Sequence, residues 1–411
     1  MPRPVTHHAP QILAALLLLC TSLVPRAATN ISGNFISEAQ RLEAFSSNPY
    51  GSGSNNYVAP TGAEWAQFKT AAQALWTGNA AAAEANAASL DYHLIVFTHT
   101  NTATTLLGLR ARETNGAPTK PWGTFFVNTN SAATVLIEAP HPQNDLRSPL
   151  LAAEIFLKSG ARGFLLAGAH RNANGMNTAD PGNLTNTIFH AVHEEWSGVN
   201  GENTGWQIHG FAIANHPGFP SNTLAVLSTG VDVTNVMSTN IVLLDEQLEW
   251  NALKSYAYND ALAATNVLNV LVNEGVAGTN FDGLAATHNV QGKYSRALGG
   301  TFVHVELATI VRTNAAMRTR AADAIANAVL LSRTNVLPAL APFSLNFTSP
   351  DSDKIQLTVP TQPFRSYMAD RRDALDSGNW GPLYAFPGDG AGRTFTNSLT
   401  NATGFFRVRA W

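Results

Sequence analysis

Four residues at three places along this chain could assemble one reaction centre. His141 and Asp145 lie in Pro140-His-Pro-Gln-Asn-Asp145, directly after the apolar run Val135–Ala139. His209 ends the run Trp206-Gln-Ile-His and is followed by Gly210. Glu306 sits inside Val303-His-Val-Glu-Leu. Two histidines and a carboxylate form a common catalytic zinc shell, with one coordination position left for water. A glutamate in so apolar a run is costly unless paired or functional. With a raised pKa, Glu306 would take a proton from activated water and pass it to a leaving amine. Taken alone, HxxxD also fits a turn histidine followed by a helix-capping aspartate; His209 and Glu306 shift the balance towards a metal.

Arginines are the candidates for holding a substrate carboxylate and polarising a carbonyl. Arg171 follows the apolar run Gly163–Ala167 and ranks first, with His170 beside it as a helper or a hydrogen-bonded loop residue. Arg147, just past Asp145, ranks second. Arg312, after the Glu306 run, ranks third, and a solvent-facing charge is the stronger reading there. By strand alternation His304 shares a face with Glu306, either supporting the site or as a hydrogen-bonded core histidine. His190 and Glu194 stand at i,i+4 near His193 and fit a surface or packing role better than a metal. His216 and His288 have no supporting context.

These residues need strands and turns to present them. Almost continuously apolar runs predict buried strands at Tyr92–Thr98, Thr105–Arg110, Gly123–Val127, Val135–Ala139 and Gly163–Ala167. Further strands are expected at Trp206–Ala214, Leu224–Ser228 and Phe302–Leu307. Helical spacing marks Glu64–Ala88, Thr185–Trp196, a long Gln247–Glu274 and Arg312–Leu337. Another helix fits Ser148–Lys158, with Pro149 at its first position and Gly160 past its end. Residues 29–60 are polar and turn-rich, and read as a leader segment lying on the surface. Strands alternating with helices over most of the chain predict an α/β domain with a mixed central sheet flanked by helices.

The composition changes near Pro338. Six short alternating runs follow, at Ser344–Phe347, Ile355–Val359, Ser366–Met368, Leu383–Phe386, Thr394–Phe395 and Phe405–Val408, separated by turns. Together they predict a small C-terminal all-β module. Its ending, Gly404-Phe-Phe-Arg-Val-Arg-Ala-Trp, resembles the last strand of small β-sandwich modules at the C-termini of exported bacterial proteins. That resemblance implies binding or anchoring, by contact with a cell surface or polysaccharide.

The N-terminus has Arg3, the apolar run Ile12–Val24 and small residues at Ala27 and Ala28. This is the layout of a secretory signal peptide over residues 1–28, too short for a comfortable membrane span. Localisation is expected to be secreted, periplasmic or at the cell surface, with no membrane span after signal removal. Cys20, the only cysteine, falls in that segment, so any zinc site must be built from His and carboxylate. The chain has 411 residues, 45% hydrophobic, which is enough for a sizeable core. Its net charge of −3 comes without a basic block, which argues against nucleic acid as a partner. There is no G-x-S-x-G elbow, Walker loop, G-x-G-x-x-G fingerprint or HExxH.

The order of His141 and acid, then His209 in an HGF setting, then Glu306 in a VEL strand resembles the zinc carboxypeptidase superfamily. That superfamily includes N-formylglutamate amidohydrolases, aspartoacylase-like deacylases and poly-γ-glutamate hydrolases. The likeness spans Gly123–Arg312. It implies Zn2+ held by His141, Asp145 and His209, with Glu306 as general base. The usual pattern has a glutamate three residues after the first histidine; here Asp145 comes four after. The expectation is therefore an exported zinc hydrolase of amide bonds at residues 29–338, acting on a small peptide or N-acyl amino acid, followed by the β module at 339–411. The alternative is a catalytically inactive exported binding protein of the same fold, targeted by the β module.

Overall fold

This computed structural model describes residues 28–200, 204–231, 238–257, 281–333, 345–351, 354–361, 366–372, 381–387, 392–398 and 404–410. The expected signal segment up to residue 27 and the domain boundary near Pro338 lie outside the described residues.

The chain runs through β1 (Thr29–Gly33), α1 (Phe35–Phe45), α2 (Gly62–Trp76), α3 (Ala80–Ala87), β2 (Tyr92–His99) and β3 (Thr104–Ala111). A short hairpin of β4 (Glu113–Thr114) and β5 (Ala117–Pro118) leads to β6 (Thr124–Val127), β7 (Val135–Ala139), α4 (Ser148–Ser159) and β8 (Gly163–Leu166). Next come α5 (Ile188–Asn200), β9 (Thr204–Phe211), β10 (Ala225–Ser228), α6 (Thr239–Trp250) and β11 (Ser255–Ala257). The α/β part closes with α7 (Val290–Ala297), β12 (Thr301–Ala308), α8 (Thr309–Thr313) and α9 (Ala315–Arg333).

Among the described residues, ten strands form one sheet in the order β1-β2-β3-β6-β8-β7-β9-β12-β10-β11. The central four, β8-β7-β9-β12, are parallel, and antiparallel pairs join them to both flanks. This is a mixed α/β architecture, as the alternating runs predict. Parallel strands covered on both faces explain their near-continuous apolar sequence.

The two faces of the central strands differ. Ile137, Ile208, Val303, Val305 and Leu307 join a large apolar core with residues of α1, α4, α6 and α9. On the other face the same strands carry Glu138, Gln207, His209, His304 and Glu306, all buried. The register puts Glu138 beside Gln207, Gln207 beside His304, and His209 beside Glu306. Alternation along each strand therefore gathers the polar groups into adjacent rows on one face. Further along that face, Leu136 and Leu165 pack with the aromatic residues of α2 and α5, Trp76 and Trp196 among them.

Two expectations are corrected. Residues 29–60 are not a surface leader throughout: β1 pairs with β2 at the sheet edge. In α1, Phe35 is 1% exposed and meets Phe97, Phe126, Phe156 and Phe164. The hydrophobic spacing of Phe35, Ala39 and Leu42 is too short a signal to stand out in a polar stretch. The long helix over Gln247–Glu274 is also overturned: α6 ends at Trp250, and Ser255–Ala257 forms the edge strand β11. Residues 258–274 of that expected helix lie outside the described residues.

The C-terminal runs form β13 (Asn346–Asp351), β14 (Lys354–Pro360), β15 (Ser366–Arg372), β16 (Gly381–Pro387), β17 (Gly392–Ser398) and β18 (Phe405–Ala410). They make two antiparallel three-stranded sheets, β13-β14-β17 and β16-β15-β18. Leu357 and Val359 of β14 share a small core with Tyr367 and Ala369 of β15. Among the described residues no helix is long and apolar enough to cross a membrane.

Candidate metal centre

The site lies at the C-terminal ends of the parallel strands, where open α/β sheets bind ligands. After β7 the chain makes one helix-like turn in which the Asp145 N–H donates to the His141 carbonyl at 2.9 Å. An i,i+4 turn stacks the two side chains on one side, and His141 Nδ1 lies 3.3 Å from Asp145 Oδ2. Asp145 is not the cap of α4; that position belongs to Arg147, in a left-handed conformation. His209, from β9, brings its Nδ1 to 3.2 Å from the same Asp145 oxygen and 3.1 Å from His141 Nδ1.

These three separations suit a metal ion. Metal–ligand bonds of ~2.0–2.1 Å at tetrahedral angles set neighbouring ligand atoms roughly 3.3 Å apart. The atoms form one triangular face of such a polyhedron, and all three residues are buried. Asp145 Oδ2 accepts no aligned hydrogen bond. The outer nitrogens are already engaged: His141 Nε2 with Asp180 Oδ1 at 2.8 Å, and His209 Nε2 with Gln207 Oε1 at 2.7 Å. Both partners are acceptors, so each ring turns its Nδ1 inwards. Hydrogen bonding of the outer nitrogen is how proteins orient a ligating histidine. The donor set therefore fits a divalent cation.

In the metal-free protein a proton does part of this work. Burial opposes charging His141, but Asp145 and Asp180 outweigh it and push its pKa up to about 9. Burial likewise opposes ionising Asp145, yet His141 and His209 hold its carboxyl well below the usual range. His209 itself is pushed down, by burial and then by the neighbouring His141. Binding a metal would expel the His141 proton.

Glu306 stands one step away from this triad. Burial, and then the charge of Asp145, push its pKa up to about 8. Its Oε2 has no hydrogen-bond partner, and its Oε1 is 3.7 Å from His304 Nε2. His209, His304 and Glu306 form a second group able to hold a cation. His209 Nε2 already faces Gln207, which leaves that ring one free nitrogen, the one pointing at His141 and Asp145. The two groups share His209, so its one free nitrogen can serve one ion at a time.

A cavity of about 590 Å³ opens above these residues, and its wall includes His141, Asp145, His209, Glu306, Arg171 and Arg312. Arg171 is held by Asp180 and by Asn177 Oδ1, the latter at 3.1 Å. Arg312 is 2% exposed, not the solvent-facing charge expected of it. It donates to the carbonyls of Leu307 (3.0 Å) and Leu146. Its guanidinium lies over Gly210, where a Cβ would come within 2.1 Å of it. The glycine after His209 thus makes room for this arginine. Arg147 and His170 are not in the cavity wall. The Arg147 N–H donates to Glu43 at 2.7 Å, and His170 Nδ1 accepts from the Asn172 N–H at 3.0 Å. His216 and His288 line the cavity.

His190 and His193 are not at the surface. They are buried, His190 against Glu194 at 3.2 Å and His193 against Glu138 at 2.8 Å. The partners that sequence reasoning missed are Glu138, Asp180, Gln207 and Asn289. Glu138 carries the signal that revealed Glu306, an acid in an apolar strand, and Gln207 shares a face with His209. Asp180 and Asn289 lie in loops, where no periodicity marks them. No protein-family model matches this chain, and neither does any curated protein or solved structure.

Proposed function

We propose that this protein is an exported zinc-dependent hydrolase of amide bonds, of the zinc carboxypeptidase and N-acyl amino acid amidohydrolase type. One observation carries the reading: the mutual 3.1–3.3 Å spacing of His141 Nδ1, His209 Nδ1 and Asp145 Oδ2, beside the buried Glu306, whose Oε2 has no hydrogen-bond partner. Zinc held by these residues would supply Lewis acidity at a scissile carbonyl and lower the pKa of water. Glu306, whose carboxyl is raised above the ordinary range by burial and then by Asp145, would be brought back towards the carboxylate by a bound cation and is placed to accept a proton from the attacking water and return it to the leaving amine. Arg171 keeps a partly exposed guanidinium at the cavity wall, where it would anchor a substrate carboxylate with forked hydrogen bonds. Arg312, packed against Gly210, brings positive charge to the cavity wall, where it would stabilise a developing oxyanion. The apolar leader of the sequence supports export, and the two C-terminal sheets support a surface-contacting role for the module.

Metal analysis and hydrolysis assays on the purified chain test this. About one zinc per chain is expected, together with hydrolysis of N-acyl amino acids, dipeptides or poly-glutamate. Zinc retained with none of these cleaved would favour the binding protein instead.

A further inference from the structure

The hydrogen bonds behind His209 determine which of its nitrogens is available, and they can be traced without ambiguity. Asn289 caps α7, its Oδ1 accepting from the Gly292 N–H at 2.9 Å. Its amide Nδ2–H must then point the other way, and it donates to Gln207 Oε1 at 2.6 Å. At its other end Gln207 faces Glu138, and the Gln207 Nε2–H donates to Glu138 Oε2 at 3.2 Å. A carboxylate can only accept, and the Asn289 amide can only donate in that direction. A flipped Gln207 would set oxygen against oxygen and N–H against N–H. Its carbonyl is therefore fixed towards His209 Nε2, 2.7 Å away. Glu138 is itself fully buried and held on its far oxygen by His193 Nδ1 at 2.8 Å, with Ser295 Oγ closing the chain at 2.9 Å from His193 Nε2.

We infer that Gln207, clamped between Glu138 and Asn289, is a positioning residue that holds His209 with its proton on Nε2 and so makes Nδ1 the metal-binding atom. The inference rests on the metal reading of the site but concerns a residue that touches neither metal nor substrate. An amide locked at both ends cannot rotate with the ring, so it also fixes the plane in which the Nδ1 lone pair lies. Removing such an outer partner typically weakens metal binding roughly 10–100-fold.

The test uses the full-length metal-free protein, titrated with Zn2+ against a chromogenic chelator, with histidine tautomers read by 15N NMR. The His209 resonance should show the Nε2–H form before any metal is added. Gln207→Leu should bind zinc about 10–100-fold more weakly. The exchanged pair Glu138→Gln with Gln207→Glu restores an acceptor at His209 and a donor–acceptor contact across the strands, and should recover most of the affinity. Ser295→Ala removes a buried bond at the far end of the chain and should leave affinity unchanged, separating positioning from loss of stability. An Nδ1–H tautomer in the unmodified protein overturns the inference and requires no variant to fold. Equal zinc affinity in Gln207→Leu, or an equal loss in Ser295→Ala, overturns it as well. Failure of the unmodified protein to take up zinc would instead remove the metal reading, while the tautomer measurement still decides the clamp.

Discussion

The Nδ1 atoms of His141 and His209 face each other at 3.1 Å across 68 residues of sequence. Two imidazole nitrogens that close repel unless a proton or a cation lies between them. In the metal-free protein the His141 proton fills that role, supported by Asp145 and Asp180. With Asp145 Oδ2 the two nitrogens form a set of three atoms spaced to receive a divalent cation in its place.

Zinc content should follow these residues individually. His141→Ala and His209→Ala each remove one of three ligands, and each should reduce bound zinc from about one per chain to a small fraction after dialysis against a mild chelator. Emission spectrometry of the dialysed proteins measures this. Full retention in either variant would place the metal elsewhere.

Glu306→Gln should separate metal binding from turnover. The amide keeps the shape of the carboxyl but cannot accept the proton, and general-base contributions are typically about 10²–10⁴-fold. Zinc content should be unchanged while kcat falls by that order. A variant retaining more than about a tenth of the activity would exclude Glu306 as the base.

Arg171 and Arg312 predict different kinetic signatures. Arg171→Met should raise KM for substrates bearing a free carboxylate and leave amide-capped analogues nearly unaffected, since its guanidinium is the more exposed of the two. An equal effect on capped and free substrates would show that it does not bind the carboxylate.

Gly210→Ala tests Arg312 without removing its charge. The added Cβ would come within 2.1 Å of the guanidinium, forcing the arginine off its carbonyl partners. The expected result is a fall in kcat with zinc content preserved. Unchanged kcat would argue against a role for Arg312 in the reaction.

Stability should depend on pH through His93, far from the metal centre in β2. Burial, then Arg110 and Arg112, push its pKa down to about 4 from an ordinary 6.5. The fold therefore favours the neutral ring. Its contribution is complete above pH 6.5 and is lost as pH falls towards 4, because the unfolded chain binds the proton first. Urea unfolding followed by circular dichroism at several pH values should show a steeper decline in that window for the unmodified protein than for His93→Gln. Parallel curves would assign the pH dependence to other groups.

The strand and helix pattern of the α/β part was legible in the sequence because strands covered on both faces are mostly apolar, and helices must stop at residues such as Gly160, which takes a left-handed conformation. The candidate site was legible for a related reason: His141, His209 and Glu306 interrupt or end those apolar runs, and a four-residue spacing puts Asp145 over His141. Local pattern did not reveal β1 and α1, whose apolar positions are few and whose partners lie more than 60 residues away in β2. Nor could it orient side chains that leave from loops. Asp180, Asn289 and the choice among arginines depend on contacts between distant segments, and the burial of Arg312 depends on the space left by Gly210. Apolar periodicity located the strands at the centre of the sheet and the polar residues they carry on one face, but not the edge strands β1 and β11. Which atoms of those residues meet emerges from the fold alone, because it depends on strand register and on the loops that close over the strand ends.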